Sequence, residues 1–526
     1  MKKFIFALLS IAVISLGAYL VLEGCKRPDR EPLKADFVFM LDGKQLADKS
    51  GILAQFGEQQ RAMIGSMAAA KVEESDDAEY LKSAIADLNN TGITFDSPFY
   101  GYINFDPQSE EVEFVAFAEI HDIKSVDKLA KILCSISNKE QGTNYELTTN
   151  GNIRTIANLG ENVMLGYNNQ HIVLASVMNG DLNASFNSAM ALPYADLDQF
   201  AERDFALAID CNSMIDLAIF NAKASGLTDQ IAQLEKSRNS LGEEASATLG
   251  ITFDKGRATM DVELADVNME EYTWIKSCSN NNIDYLPQDV IAVLNTNLDG
   301  EKFMALINDY LNTIDIEAMT GVNRNEFNTY MAIAEGAISS INGDVTISLN
   351  EINGVDPYAT PHIEAVVMAE VKDDYIISNV AAFGAGMLTS VEPNSYYVNI
   401  APDMGIFLGQ QADMFYTGLN FTPGATEPTA AKSRWMSDVE DSAAYMVVDI
   451  ASALHSSYIS MWYKMLATEL TPEAAALINS MSYIYAMNSD LYHGELAIVF
   501  DSDNTNALKH IVDTLLPGGI FSLLQK

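Results

Sequence analysis

The sequence predicts an α+β protein of two duplicated halves, each mainly an antiparallel sheet covered by helices. Three observations predict it. A strand, an acid or amide and an amphipathic helix recur in that order four times; a hairpin of alternating pattern follows each recurrence; and a meander occurs once in each half. At 526 residues the chain is past the size at which one hydrophobic core keeps growing, so more than one domain is expected.

Residues 1–24 read as a leader. Lys2 and Lys3 precede the apolar run from Phe4 to Leu22, which closes at Leu22-Glu23-Gly24-Cys25. This looks like a bacterial lipoprotein signal, in which Cys25 would carry the lipid. The same run is long enough to serve as an uncleaved anchor, and plain secretion is the third option. Each places the remaining chain outside the cytoplasm. Residues 25–34, with two prolines among charged residues, read as a polar tether.

The recurring unit opens with Phe37 to Leu41 and Asp42. It returns as Phe205 to Ile209 with Asp210, as Val290 to Leu294 with Asn295, and as Tyr445 to Val448 with Asp449. Strands apolar on both faces belong inside a covered sheet. The short polar side chain that ends each strand can accept from the unpaired N–H groups of the helix that follows, so Asp42, Asp210, Asn295 and Asp449 are expected to be helix caps.

Hairpins follow: Tyr100 to Phe105 with Val112 to Glu119, Thr248 to Phe253 with Ala258 to Leu264, Val345 to Leu349 with Ile363 to Val371, and a last strand from Glu495 to Phe500. Tyr145 to Val177 reads as a meander, and Tyr396 to Leu419 as its shorter counterpart. Helices are predicted over 76–88, 228–241 and 325–341, and after Thr471-Pro472-Glu473. The halves span residues 35–280 and 281–526, divided in the polar stretch before Pro287.

Seventy-two acidic residues against 31 basic ones leave a formal net charge of −41, a field that repels phosphate backbones. Nucleic acid is excluded as a partner class. Cys134, Cys211 and Cys278 form no CxxC, the six histidines are scattered singly, and the thiols are expected to be reduced and packed inside. No metal site and no cofactor is read from the sequence.

Catalytic patterns are equally scarce. There is no GxSxG elbow, no GxxxxGK[ST] and no GxGxxG. Adjacent acids such as Glu73-Glu74, Asp76-Asp77, Glu110-Glu111 and Asp373-Asp374 sit in turns or on polar faces and are expected to be solvated. Asp501 to Asn506 opens like a calcium loop but lacks its glycine and its closing glutamate, so it is expected to end a hairpin and cap a helix. Aromatics crowd the second half, and Tyr458, Trp462 and Tyr463 form a candidate ligand platform, with core packing as the plainer alternative.

The Lys2-Lys3 leader ending in Cys25, the ADFVFMLD opening after a short tether, the length and the repeated strand-acid-helix units together resemble the large lipoproteins of unknown function of Bacteroides-type bacteria. That family carries no established activity or site residues, so the resemblance implies localisation and architecture alone. Lys26 and Arg27 stand where surface-displayed members often carry acids, which leaves the membrane face open. The sequence is thus read as a cell-envelope lipoprotein, anchored to the membrane by its lipid, that binds or scaffolds a glycan or protein partner without catalysis. The alternative is a glycan-directed hydrolase whose carboxylates meet only in three dimensions.

Overall fold

The computed structural model describes residues 30–52, 57–160, 162–269, 272, 274–313, 324–384, 386–424 and 433–517. The leader and Cys25 lie outside the described residues. Contacts divide the chain into two compact units. The first runs to Asn268 and takes the chain up again from Asp503; the second runs from Met269 to Ser502.

The first unit opens with β1 (Arg30–Pro32), β2 (Phe37–Leu41), α1 (Gly43–Ser50), α2 (Glu58–Ala69) and α3 (Ser75–Ala86). Then come β3 (Phe99–Asp106), β4 (Glu111–Glu119), α4 (Ile123–Gln141) and the meander β5 (Glu146–Asn150), β6 (Ile153–Ala157), β7 (Val163–Tyr167) and β8 (His171–Met178). α5 (Leu182–Met190) and β9 (Tyr194–Asp196) lead to β10 (Phe205–Asp210), α6 (Cys211–Ala224), α7 (Thr228–Arg238) and the long hairpin β11 (Leu241–Asp254) and β12 (Arg257–Val267). The sheet order is β5-β6-β7-β8-β4-β3-β2-β10-β11-β12, with every neighbouring pair antiparallel. β1 pairs with β9 in parallel.

The second unit has β13 (Ala292–Asp299), α8 (Gly300–Thr313), α9 (Arg324–Ser339), β14 (Ile341–Asn353), β15 (His362–Val371) and α10 (Tyr375–Phe383). Its meander is β16 (Thr389–Glu392), β17 (Ser395–Ala401), β18 (Met404–Gln411) and β19 (Met414–Leu419). After α11 (Met436–Val439) come β20 (Ala444–Asp449), α12 (Ile450–His455), α13 (Ser457–Leu466), α14 (Pro472–Asn479), β21 (Met481–Asn488) and β22 (His493–Phe500). The order is β16-β17-β18-β19-β15-β14-β13-β20-β21-β22, again antiparallel throughout. Strand for strand, this is the order of the first unit.

Local chemistry explains why the chain turns where it does. Asp42 accepts from the Gln45 amide at 2.8 Å, Asp210 from that of Ser213 at 2.9 Å and Asp449 from that of Ser452 at 2.8 Å, each capping the helix after a strand. Gly51 closes α1 in the left-handed region (φ 66°), which only glycine enters without strain. Thr471 caps α14 ahead of Pro472, and Asn506 caps the last helix, α15 (Ala507–Leu515), in place of any calcium loop.

Three expectations change. Asn295 is no cap: β13 continues through it to Asp299, and Asn295 is fully buried, donating to Asn280 and Asp344 and accepting from Thr346. The cap is Asp299, which accepts from the Lys302 amide at 3.2 Å. The polar stretch 277–287 is no linker either. Cys278 donates its N–H to Ser442 at 2.8 Å, and Ser279 and Asn280 donate theirs to the buried Asp344 carboxylate, so it folds with the second unit. Finally, α15 packs on α1, β11 and β12, and Asn506 donates to the Phe253 carbonyl at 2.7 Å, which places it with the first unit.

The cores follow the inward faces. Tyr100, Val115, Phe117, Val173 and Phe186 fill the first unit, and Val293, Met368, Tyr416, Trp435 and Tyr485 the second. On the opposite face of the second sheet, Leu294 and Met446 stay 39% and 47% exposed, so these strands are not covered equally on both sides as expected. Cys134, Cys211 and Cys278 are free thiols, two of them buried. No described helix is long and apolar enough to cross a membrane.

Candidate functional site

Strand alternation should give β14 an apolar inward face, yet Asp344, Thr346, Ser348 and Asn350 occupy it, all buried. At one end the polar groups are fully used. Asp344 gathers five donors from Ser279, Asn280, Asn295 and Asn297. Tyr445 donates to Asn280 at 2.8 Å, and burial, reinforced by the Asp344 charge, pushes its phenol up so that it stays a donor.

The other end of β14 opens into a cleft of about 620 Å³ within the second unit. Its walls come from the segment leading into β13, the ends of β14 and β20, the start of β15, and α12. Arg434 lies in it, held to Asp449 at 2.7 Å and to the Ser482 carbonyl at 3.1 Å. Asn350 also lines it. This residue is 5% exposed, its Oδ1 accepts from Ser348 at 2.6 Å, and its Nδ2 has no partner among the described residues.

The register of the β14–β15 hairpin shifts between Leu349 and Glu351, so Asn350 is the extra residue of a bulge. Beyond the bulge Glu351 stands directly opposite Glu364, and Asn353 opposite His362. Both glutamates line the cleft. One ligand atom from each of Glu351, His362 and Glu364 lies within 4.8 Å of the others, which makes these three the group that could hold a metal among the described residues. His362 Nε2 is 3.4 Å from Glu364 Oε1, and Asn353 donates to Glu351.

The aromatic residues named from sequence do not line this cleft; they lie on α13, the helix after Ser456 of the cleft wall. Trp462 is 38% exposed and meets Tyr358 edge-on with centroids 6.4 Å apart. Tyr358 sits in the loop joining β14 to β15 and is 82% exposed. Tyr458 and Tyr463 are tied down by their hydroxyls, to Pro357 and Ala475, each at 3.1 Å. The adjacent acid pairs are elsewhere: Glu73, Glu74, Asp373 and Asp374 are exposed, and Glu73 faces Lys139 at 2.7 Å.

Sequence reasoning missed Asn350, Glu351, His362, Glu364, Arg434 and Tyr358. No spacing motif joins them; the one usable signal was polar residues at alternate positions of a strand that otherwise reads as core. A protein-family model for a domain of unknown function (DUF4836) matches residues 31–508. No curated protein and no solved structure matches the chain.

Proposed function

Because the chain belongs to the DUF4836 family of unknown function, we propose its role from its own geometry: a cell-envelope lipoprotein that holds a glycan in the cleft of its second unit without transforming it. The observation that carries this reading is Asn350. A buried amide donor left without an acceptor costs about 1–3 kcal/mol, and a ligand oxygen in the cleft would remove that cost. Trp462, on the helix that follows Ser456 of the cleft wall, and Tyr358, in the β14–β15 loop, add a ring pair on which a sugar extending from the cleft can stack, with Tyr458 and Tyr463 holding that helix. The shared strand order supports reading the two units as a duplication. The lipid on Cys25, after removal of residues 1–24, supplies the membrane anchor.

The full chain in detergent is applied to an array of glycans. At least one class should bind, and Asn350→Leu and Trp462→Ala should each weaken it at least about tenfold, the cost of one lost hydrogen bond or stacking face. Binding that survives both changes, or an array without a bound glycan, overturns the reading. Loss of lipid labelling in Cys25→Ala checks the anchor. One observation favours the hydrolase as second reading: Glu351 and Glu364 face each other in the same cleft. Glycan turnover abolished by Glu351→Gln or Glu364→Gln would establish it.

A further inference from the structure

We propose that Glu351, His362 and Glu364 bind a divalent transition cation, with Zn²⁺ as the probe ion, on the wall of the second unit's cleft. Two carboxylates directly opposed across an antiparallel pair repel each other, and such pairs are destabilising unless a positive charge lies between them. Among the described residues no lysine or arginine pairs with either glutamate; the one ion pair is that of Glu364 with His362. Arg434, the cation of the cleft, is held by Asp449. The site therefore brings two carboxylates and an imidazole together with no basic side chain of the described residues between them.

The donor set selects the ion class. Imidazole with carboxylate oxygen suits zinc, manganese or iron, whereas calcium and magnesium favour larger all-oxygen sets. Ligand atoms around such an ion stand roughly 3–4 Å apart, so the separation of up to 4.8 Å closes by small side-chain rotations. Asn353, which donates to Glu351 and is itself held by Ser457, fixes the orientation of that carboxylate, as outer partners of metal ligands do.

The second, independent observation is Asn350. It is the residue next to Glu351, bulged toward the same cleft, nine-tenths buried and with its Nδ2 unpartnered. Three protein ligands leave a coordination position open, and an oxygen in that position, from water or from the cleft's ligand, is the acceptor Asn350 lacks. Only this last step rests on reading the cleft as a ligand site; uptake of the ion does not.

The metal-stripped full chain in detergent is titrated calorimetrically with Zn²⁺, with Ca²⁺ and Mg²⁺ as competitors. One Zn²⁺ per chain should bind, and His362→Ala, Glu351→Gln and Glu364→Gln should each weaken it at least about tenfold. The triple variant should take up none while keeping the metal-free melting of the second unit. His493→Ala, a histidine beside Asp490 and outside the cleft, should leave uptake unchanged. No Zn²⁺ uptake by the wild-type chain, or uptake that the triple variant retains, overturns the proposal. Zn²⁺ uptake without glycan binding would sink only the glycan reading.

Discussion

Arg434 grips Asp449 at two points, Nη2 at 2.7 Å from Oδ1 and Nε at 3.3 Å from Oδ2, while the same Oδ1 caps α12 through the Ser452 amide. One carboxylate thus joins the end of β20, the cleft and the next helix. Asp449 is 5% exposed, so it depends on that partner, whereas the arginine side chain is 42% exposed and partly screened. Arg434→Met should cost about 1–2 kcal/mol, the price of a weakened, still half-satisfied carboxylate. All three tryptophans lie in the second unit, so tryptophan fluorescence during urea unfolding reads this loss directly.

How far the sequence spoke for itself differs between these features. Asp42, Asp210 and Asp449 were legible because a cap is a local device: the acid and the amide it accepts from lie three residues apart. Asn295 was misread because DVIAVLNTNLDG offers two polar stops, and only the partner strand shows that the first points inward to Thr346. The cleft was not legible. Glu351 and Glu364 become neighbours through a hairpin loop and a bulge whose register no periodicity reveals. The same holds for α15, whose attachment to Phe253 spans 253 positions.

The corrected cap yields a paired test. Burial pushes the Asp299 carboxyl up, but the backbone and ammonium of Lys302 outweigh it and hold the group below its usual range. Asp299→Ala should therefore cost about 0.5–2 kcal/mol, like Asp42→Ala in the first unit. Asn295→Ala should cost about 1–3 kcal/mol, since it strips Thr346 of an acceptor in a buried site. Fluorescence-monitored urea unfolding reads the two second-unit variants; an Asp299→Ala variant as stable as the wild type would contradict the reassignment.

His171 gives the first unit a pH dependence. Its ring is fully buried between Phe117 and Tyr194, Nε2 lies 3.0 Å from the Leu192 carbonyl, and Nδ1 has no partner among the described residues. Burial lowers its pKa, against smaller opposing effects of that carbonyl and the Glu119 charge. With the folded value below the unfolded one, the unfolded chain binds the proton first. Stability is then complete above about pH 6.5 and falls as pH drops toward the lowered folded value. Far-UV circular dichroism melts between about pH 7 and pH 5 should show this decline, and His171→Gln, which keeps a donor toward Leu192, should flatten it.

The last test concerns Lys49 and Asp204, which join α1 to the loop entering β10. Lys49 Nζ is 2.8 Å from Asp204 Oδ2, the Phe253 amide reaches the same oxygen at 2.7 Å, and the carboxylate has no exposure. Among the described residues its Oδ1 has no partner and the ammonium is the one positive charge compensating this buried negative one. Removing it alone should be costly, about 3–5 kcal/mol for Lys49→Met. Removing both charges should not be: Lys49→Met with Asp204→Asn leaves a neutral amide that still accepts from Phe253, so most of the loss should return. Hydrogen exchange of the β10 and β11 amides follows the first unit, and a double variant as unstable as the single one would show that the uncompensated buried charge is not what the single change costs.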